Sequence, residues 1–313
     1  MKTLKRMTVA LLALLPLATG SAFADSGQGY SRMFVFGASF LDPGNHFAVT
    51  GETAHPPFDP MSFASYAVGG HHYSNGPTWV EVMAQEMNLV RWAQPAYRNP
   101  VFGNYAYGYA LARDVEFPLG PGLGDQVQDW IGNGYCTFAA MDDTLFVLDT
   151  AYFDLFDILQ GADPNVVIPA MLDSIATNIY VLHQCGARNL MVANIAPVGL
   201  SPMIPDDGSK ELLNDLSMGY NAAVQVVLSV YAGEPFNMNI STFDLFGIFT
   251  DMATTPVSYG LTNVKETCVT FGVYENAFCK DRDGYLFWDP LHPTKVAHAL
   301  MGQAALEQLP GLD

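Results

Sequence analysis

The sequence predicts an α/β fold in which helices cover both faces of a parallel sheet. Short apolar runs of strand length alternate with longer segments that have helical periodicity. The runs are Met33–Phe36, Thr144–Thr150, Asn189–Ala193 and Phe236–Thr242. Apolar strands separated by helices are typical of parallel sheets, because both faces of such sheets are buried. No linker-like segment divides the chain, so we expect one domain with one core.

The helical segments space their apolar residues three or four positions apart. The longest predicted helix, 164–185, places on one stripe the residues Val167, Met171, Ile175, Ile179 and Leu182. Gly186 follows this helix as a stop signal. Residues 209–232 and 294–308 show the same periodicity, and Pro293 is expected at the first position of the last helix.

Residues 51–109 have a different composition, rich in Gly, Pro, His, Tyr and Asn. One helix is predicted within this stretch, near Thr78–Met87. We expect the remainder to form loops over the face of the sheet that carries the site, where loops usually shape a substrate pocket. The many aromatic side chains of the stretch are suited either to a pocket for a lipid acyl or aryl ester group or to packing the long loops together, and the second role is expected for most of them.

Residues 1–24 have the composition of a secretory signal peptide. Three basic residues open the segment, residues 9–17 are apolar, and Ala22-Phe23-Ala24 forms a small-x-small cleavage signal. Cleavage after Ala24 would leave residues 25–313 as a single exported domain, either secreted or periplasmic. Nothing later in the sequence approaches about 18 uninterrupted apolar residues, so no integral membrane segment is expected in the mature protein.

The charge balance of the chain is strongly acidic. The full sequence has 13 basic and 31 acidic residues, a net charge of −18. Loss of residues 1–24 would remove three basic residues and no acidic one, which leaves 10 basic residues against 31 acidic ones and a net charge of −21. Such a surface repels phosphate backbones and anionic bilayers, so nucleic acid is not expected as a partner.

Four cysteines in an exported chain indicate disulfides rather than metal or redox chemistry. Cys268 and Cys279 flank a short polar loop and are expected to pair. Cys136 and Cys185 would then form the second bond, although four cysteines allow three pairings. No Cys-x-x-Cys motif occurs in the sequence, and no metal is predicted.

Three residues near the two ends of the chain form a candidate catalytic set. Ser39 follows the first apolar run, and the carboxyl ends of parallel strands are where sites occur in such sheets. Asp289 and His292 lie three positions apart near the other end. A serine hydroxyl becomes a nucleophile when a neighbouring base takes its proton and a third group orients that base. The Ser39 N–H is also expected at the start of the next helix, where developing negative charge is favoured.

Simpler roles exist for each of these residues. Ser39 is also a suitable N-cap of a helix, and His292 is also a residue that merely precedes a helix. Ser74 is an alternative nucleophile if Ser39 is not one. The adjacent His71 and His72 are expected at a pocket rim or on the surface rather than as metal ligands, since no third ligand has a fitting spacing.

Five segments carry a resemblance that extends over most of the chain. They are Phe36-Gly37-Ala38-Ser39 followed by Asp42-Pro43-Gly44-Asn45, then Ser74-Asn75-Gly76-Pro77-Thr78-Trp79, Asn104-Tyr105-Ala106-Tyr107-Gly108, the segment 194–202, and Asp289-Pro290-Leu291-His292-Pro293. In this order and at this spacing they resemble the sequence blocks of the GDSL esterase/lipase family, part of the SGNH hydrolase superfamily.

The resemblance implies a flavodoxin-like three-layer sandwich with about five parallel strands, and hydrolysis of a small-molecule or lipid ester without a cofactor. Lipase, phospholipase and acyltransferase activities fall within this class. The resemblance also implies roles: Ser39 as nucleophile, His292 as general base and then acid, and Asp289 as the residue that orients His292. The backbone N–H groups of Ser39 and Gly108 would form the oxyanion hole.

Two positions depart from the family pattern. Ala38 replaces an Asp before the nucleophile, which is expected to change local hydrogen bonding more than mechanism. Phe153 occupies the position of an Asn whose amide belongs to the oxyanion hole, and a phenyl ring donates no hydrogen bond. We therefore expect a slowed enzyme, with a non-catalytic binding protein of the same fold as the alternative. Asp42 and Asp154 are expected to hold turns near the site.

Overall fold

The structure is a computed structural model that describes residues 29–58, 64–115, 120–149, 152–273 and 275–310. The predicted signal peptide and Thr150, the last residue of the second predicted strand, lie outside the described residues.

The described elements alternate between strands and helices along the chain. The strands are β1 (Arg32–Phe36), β2 (Thr53–Ala54), β3 (Ser65–Tyr66), β4 (Met141–Asp149), β5 (Ala187–Ala193), β6 (Asn239–Phe243), β7 (Asn263–Thr267) and β8 (Tyr285–Phe287). The helices are α1 (Asn45–Thr50), α2 (Trp79–Glu86), α3 (Leu123–Gly132), α4 (Leu155–Leu159), α5 (Pro164–Gln184), α6 (Ser209–Ala232), α7 (Leu245–Thr254) and α8 (Lys295–Leu306).

The main sheet has four parallel strands in the order β1-β4-β5-β6. Val35 of β1 lies opposite Val147 of β4, and Val147 lies opposite Met191 of β5. All three side chains are fully buried, as expected for strands covered on both faces. The predicted parallel α/β fold is confirmed, and each of the four strands matches one of the apolar runs, with β6 beginning three residues later than predicted.

An irregular segment takes the place of a fifth strand beside β1. The Val35 N–H donates to Gly103 O at 3.0 Å, and the N–H of Tyr105 donates back to Val35 O at 2.8 Å. A third bond of 3.0 Å runs from the Tyr107 N–H to Gly37 O. The ladder does not continue as a regular strand, because the Gly37 N–H donates to the Gln126 side chain at 2.8 Å instead of to this segment. About five strands were expected, and the main sheet has four among the described residues, with this segment in the fifth place. The three hydrogen bonds hold the segment 104–108 against the turn that carries Ser39.

Two groups of helices cover the sheet. Helices α3, α5 and α6 contact one another in sequence, while α8 contacts both α2 and α7. Helix α5 is long and apolar enough to cross a bilayer by composition, but it buries the stripe that the sequence predicts, from Val167 to Leu182. This burial is typical of a core helix in a layered α/β domain.

The start of α8 differs from the prediction. The helix begins at Lys295, and Thr294 is its N-cap, with the Thr294 hydroxyl accepting from the Ala297 N–H at 3.3 Å. Pro293 therefore precedes the cap instead of opening the helix. Its carbonyl accepts a hydrogen bond from the Ser74 hydroxyl at 2.8 Å, and the residue pairs with Phe287 in a bridge. These contacts hold Pro293 in the loop between β8 and α8.

Both predicted disulfides are confirmed, as Cys136–Cys185 and Cys268–Cys279. Cys268 belongs to a small second cluster of buried side chains that includes Tyr66 and Trp288. Tyr66 comes from the stretch 51–109, which contains β2, β3 and α2 besides the predicted loops. This cluster fixes Tyr66 next to the chain segment that carries Asp289.

His298, in α8, is a buried histidine that should make the fold sensitive to acid. Its Nδ1 accepts a hydrogen bond from the Trp79 N–H at 3.2 Å. Burial, together with the nearby His72 and His292, lowers the pKa of His298 from 6.5 to about 3. Between these values the unfolded chain takes up a proton that the folded chain refuses, so stability falls as the pH falls.

We expect acidification from pH 7 to pH 4 to cost about 3 kcal/mol of unfolding free energy through His298 alone. The variant His298→Gln keeps an acceptor for the Trp79 N–H and removes the titrating ring. Urea titrations at the two pH values should show a smaller acid loss in this variant, by about the same amount. An acid loss as large as that of the native chain would contradict the assignment.

Candidate active site

Ser39 lies in a tight turn directly after β1. Gly37 shapes this turn, because it adopts φ of 152° and a Cβ at this position would lie 2.5 Å from the Asp149 Cβ. The Gln126 amide fixes the same residue, accepting from the Gly37 N–H at 2.8 Å and donating to Gly37 O at 2.9 Å. Ser39 was expected at the start of the following helix, but α1 begins only at Asn45. The turn, rather than a helix end, therefore orients the serine.

The structure brings the three predicted catalytic side chains together across 253 residues of sequence. Ser39 Oγ lies 3.0 Å from His292 Nε2. On the other side of the ring, His292 Nδ1 lies 2.8 Å from Asp289 Oδ2 and 3.0 Å from Oδ1. An N–H on Nδ1 therefore donates to the carboxylate, which leaves Nε2 as the acceptor of the serine proton.

Asp289 is buried and held by several hydrogen-bond donors. The Tyr66 hydroxyl donates to Oδ2 at 2.8 Å, while the N–H groups of Leu291 and His292 donate to Oδ1 at 2.8 and 2.6 Å. Burial opposes ionisation of this carboxyl, but His292 and the two backbone donors outweigh it and lower the pKa of Asp289. The carboxylate is thus ionised and fixed in the orientation that faces the imidazole.

Asp42 organises the turn after Ser39. Its carboxylate accepts from the N–H groups of Gly44, Asn45, His46 and Gly108, at 2.8, 2.5, 3.2 and 2.8 Å. Burial raises the pKa of Asp42 to about 6 against the effect of these four donors. The structural role predicted for Asp42 is confirmed. The Gly108 N–H, predicted as an oxyanion donor, is directed at this carboxylate.

Asp154 has a similar structural role at the other side of the site. It accepts from the Ala112 N–H at 2.7 Å and from Arg113 Nε at 2.6 Å. The buried carboxylate therefore ties the loop after 108 to the segment that follows β4, as predicted.

The Phe153 ring contacts that of Tyr109, which in turn packs beside His292. Its ring centroid lies 5.0 Å from that of Tyr109, and the Tyr109 ring lies 5.9 Å from the His292 ring. Tyr109 adopts φ of 60°, a left-handed conformation that is uncommon outside glycine. These rings form part of a cover over the triad, in which Ser39 is 2% and His292 is 1% exposed.

Tyr152, the neighbour of Phe153, contacts the Ser39 hydroxyl. The Tyr152 hydroxyl lies 3.4 Å from Ser39 Oγ, and its ring packs 5.1 Å from that of Phe40. The sequence reasoning missed Tyr152 and also Tyr66. The one available signal for Tyr152 was its place in the segment that departs from the family pattern, where a hydroxyl stands one position before the lost amide.

A small apolar pocket lies beside Ser39. It is lined by Phe40, Tyr152, Ala196, Pro197, Val198, Ser201, Phe249, Phe287 and Leu291. Phe40 and Leu291 directly adjoin Ser39 and His292 in sequence, so the pocket lies next to the Ser39–His292 pair. Its lining side chains are almost completely buried, and its free volume of about 20 Å³ has room for little more than one methyl-sized group.

The remaining histidines near the site make protein contacts. His46 Nδ1 lies 2.5 Å from the Tyr73 hydroxyl, and His72 Nε2 lies 2.8 Å from Glu81 Oε2. The His71 ring stacks on that of Phe47. Among the residues that the structure describes, no group of three His, Cys, Asp or Glu side chains is arranged to hold a metal ion.

Comparison with known proteins identifies a family for this chain. The model of the GDSL-like lipase/acylhydrolase family matches residues 33–305. GDSL esterase/lipase 6 of Arabidopsis thaliana is 23% identical over 331 aligned positions, which cover 94% of this chain and 91% of that protein. The thermolabile hemolysin of Vibrio parahaemolyticus is 23% identical over 256 positions, covering 75% of this chain and 55% of the hemolysin.

Solved structures of similar shape are more distant in sequence. An acetylxylan esterase from Geobacillus stearothermophilus covers 90% of this chain and 95% of its own, with 11% identity and a TM-score of 0.46. Similarity at this level does not bear on substrate. The family model, in contrast, spans most of the chain and includes Ser39, Asp289 and His292, and the chain therefore belongs to the GDSL-like lipase/acylhydrolase family.

Proposed function

We propose that this chain is an exported serine hydrolase of carboxylic esters that works through an acyl-enzyme. The observation that carries the proposal is the unbroken hydrogen-bond chain from Ser39 Oγ through the His292 ring to Asp289, at 3.0 and 2.8 Å. Membership of a family of ester hydrolases supports the reaction class. Distances of this size are those expected of an activated nucleophile and its base.

The geometry supports a two-step reaction. Ser39 Oγ attacks the ester carbonyl carbon while its proton passes to His292 Nε2. The imidazolium then donates that proton to the leaving alcohol oxygen, and the carbon–oxygen bond of the ester breaks to leave an acyl group on Ser39. Water attacks this acyl group with His292 again as base, which releases the acid and restores the serine. Asp289 holds the ring orientation and stabilises the imidazolium in both steps.

The expected oxyanion hole contains few hydrogen-bond donors. The Ser39 N–H meets no backbone or side-chain acceptor among the described residues, so it is available to the carbonyl oxygen. The Gly108 N–H would have to be shared with Asp42, to which it donates at 2.8 Å. Phe153 adds no donor at the position where the family has an amide. Loss of one donor typically lowers kcat by about 10²- to 10³-fold, so a slow hydrolase is expected.

A fluorophosphonate probe tests the nucleophile directly. The probe should label the native chain, with the label at Ser39, and Ser39→Ala should remain unlabelled while keeping its native circular dichroism spectrum. Labelling of Ser39→Ala at the native rate would end the proposal.

The pocket beside Ser39 supports short acyl groups as substrates. We expect kcat/KM for p-nitrophenyl esters to fall at least tenfold from acetate to octanoate, since each methylene that cannot be accommodated loses about 1–3 kcal/mol. Phe249, which is buried and lines the slot, is a suitable site for enlargement. The variant Phe249→Leu should move the preference to longer chains, whereas Phe236→Leu, outside the pocket, should leave it unchanged. Equal rates for acetate and octanoate in the native chain would contradict this assignment.

The second candidate function is that of a non-catalytic binding protein. The near-complete burial of Ser39 and His292 beneath Tyr109 and Phe153 favours it. This alternative predicts no ester turnover that depends on Ser39, and no gain in Phe153→Asn. Turnover that is lost in Ser39→Ala would exclude it.

Export is part of the same proposal. The two disulfides are typical of proteins that fold in an oxidising compartment, and the composition of residues 1–24 predicts a route to it. We therefore expect the hydrolase outside the cytoplasm, acting on a small-molecule or lipid ester.

A further inference from the structure

The Tyr152 hydroxyl has one clear hydrogen-bonding direction in the resting site. His292 donates through Nδ1 to Asp289, so its Nε2 must accept the proton of the Ser39 hydroxyl. Ser39 Oγ then has only acceptor capacity left for Tyr152, whose hydroxyl lies 3.4 Å away. Tyr152 is therefore the donor of this pair, and its O–H is directed at the reacting oxygen.

The surroundings of Tyr152 keep it a neutral donor. Burial raises the pKa of its hydroxyl, and the negative charges of Asp149 and Asp289 act in the same direction. The ring is 4% exposed and packs against Phe40 and Phe156, at 5.1 and 6.4 Å between centroids. A donor held in place by packing needs no reorganisation when charge develops nearby, which is the property of an effective oxyanion donor.

The tetrahedral intermediate needs such a donor here. When Ser39 Oγ bonds to the carbonyl carbon, the carbonyl oxygen becomes an oxyanion within about 2.5 Å of Oγ, since both are bonded to one carbon. An oxyanion on the side of Oγ that faces Tyr152 would lie within hydrogen-bonding distance of the Tyr152 hydroxyl, which is 3.4 Å from Oγ. Phe153 offers no donor, and the Gly108 N–H is occupied by Asp42.

We propose that the Tyr152 hydroxyl supplies the side-chain donor of the oxyanion hole, in the role for which the family uses an amide at the position of Phe153. This inference rests on the proposed function. In the attack, the serine proton goes to His292 Nε2, the carbonyl π electrons move to oxygen, and the Tyr152 O–H shifts its hydrogen bond from Oγ to that oxygen. Tyr152 keeps its proton throughout.

The test is Tyr152→Phe, which removes the hydroxyl and keeps the packed ring. We expect kcat for p-nitrophenyl acetate to fall about 10²-fold with KM changed less than about threefold, because the donor acts mainly in the transition state. Tyr231→Phe is the matched control, since it removes a hydroxyl that donates to Ala176 O at 2.7 Å between α6 and α5. The control should keep native kcat and KM.

The affinity for a boronic acid distinguishes an oxyanion donor from a residue that only supports the structure. Such a compound adds to Ser39 Oγ and places a tetrahedral oxygen where the oxyanion would lie. Its affinity, expressed per active site titrated with the fluorophosphonate, should fall in Tyr152→Phe by the same factor as kcat/KM. The titration makes the comparison valid even where part of the variant is misfolded.

The outcomes are distinct. A kcat within about threefold of native in Tyr152→Phe, or a lower kcat with unchanged boronic acid affinity, would overturn the role of Tyr152. Either result would leave the proposed function intact as long as turnover still depends on Ser39. Native turnover that survives in Ser39→Ala would instead overturn the proposed function.

Discussion

Ser39→Ala is expected to lower kcat for ester hydrolysis by about 10⁵- to 10⁶-fold, which is the size of effect seen when a triad nucleophile is removed. The physical reason is that Ser39 Oγ, which lies 3.0 Å from His292 Nε2, is the oxygen that we propose as the nucleophile. The rate of p-nitrophenol release from a p-nitrophenyl ester, measured with purified native and variant protein, gives this loss of kcat.

A double variant tests whether Ser39 and His292 act as one catalytic unit. His292→Ala should lose a similar factor, and the double variant should be no slower than either single one, because the two groups act as a unit. Ser74→Ala is the informative control. Its hydroxyl donates to Pro293 O at 2.8 Å, so we expect a change of only a few-fold. A loss in Ser74→Ala as large as that in Ser39→Ala would identify Ser74 as the nucleophile instead.

Asp289→Asn is expected to lower kcat by about 10⁴-fold with the fold intact. An amide at this position no longer requires an N–H on Nδ1 of His292, so the ring loses the tautomer that leaves Nε2 free to accept. The effect should appear in kcat, with KM nearly unchanged. Thermal unfolding of the variant measures any separate loss of stability, and a kcat within tenfold of native would contradict the orienting role.

Tyr66→Phe provides a graded comparison for Asp289. It removes one donor to the carboxylate, at 2.8 Å, and leaves the two backbone donors and His292 in place. We expect a decrease in kcat of about tenfold, near the lower end for hydrogen bonds to charged groups. The control is Tyr97→Phe, which removes a hydroxyl that donates to Asp129 on the surface and should leave kcat unchanged.

Local patterns predicted much of this fold. The stripe of α5 followed from apolar residues three or four positions apart, and the structure buries those five residues. Four of the strand positions were visible for a similar reason, since both faces of a parallel strand are buried. The position of the segment 103–107 beside β1 was not visible in the sequence, because the segment is joined to β1 and Gly37 by a few hydrogen bonds and the Gly37 N–H donates to Gln126 instead.

Predictions about element ends were less successful. Pro293 was expected inside α8 and Ser39 at the start of a helix, yet Thr294 caps α8 and Ser39 lies in a turn. Both positions depend on contacts with distant segments. Pro293 binds Ser74, and the turn of Ser39 is fixed by Gln126 and by the close approach of Asp149 to Gly37.

By itself the sequence determined the α/β class and the residues of the candidate triad, because these depend on short periodicities and motifs. It favoured the two disulfide pairings that the structure confirms, although four cysteines allow three sets of pairs. Only the tertiary structure decided which groups surround that triad. Tyr66 and Asp289 are 223 residues apart, and Tyr152 lies 113 residues from Ser39. No spacing rule relates such pairs, since their hydrogen bonds exist only after separate strands and loops have packed together.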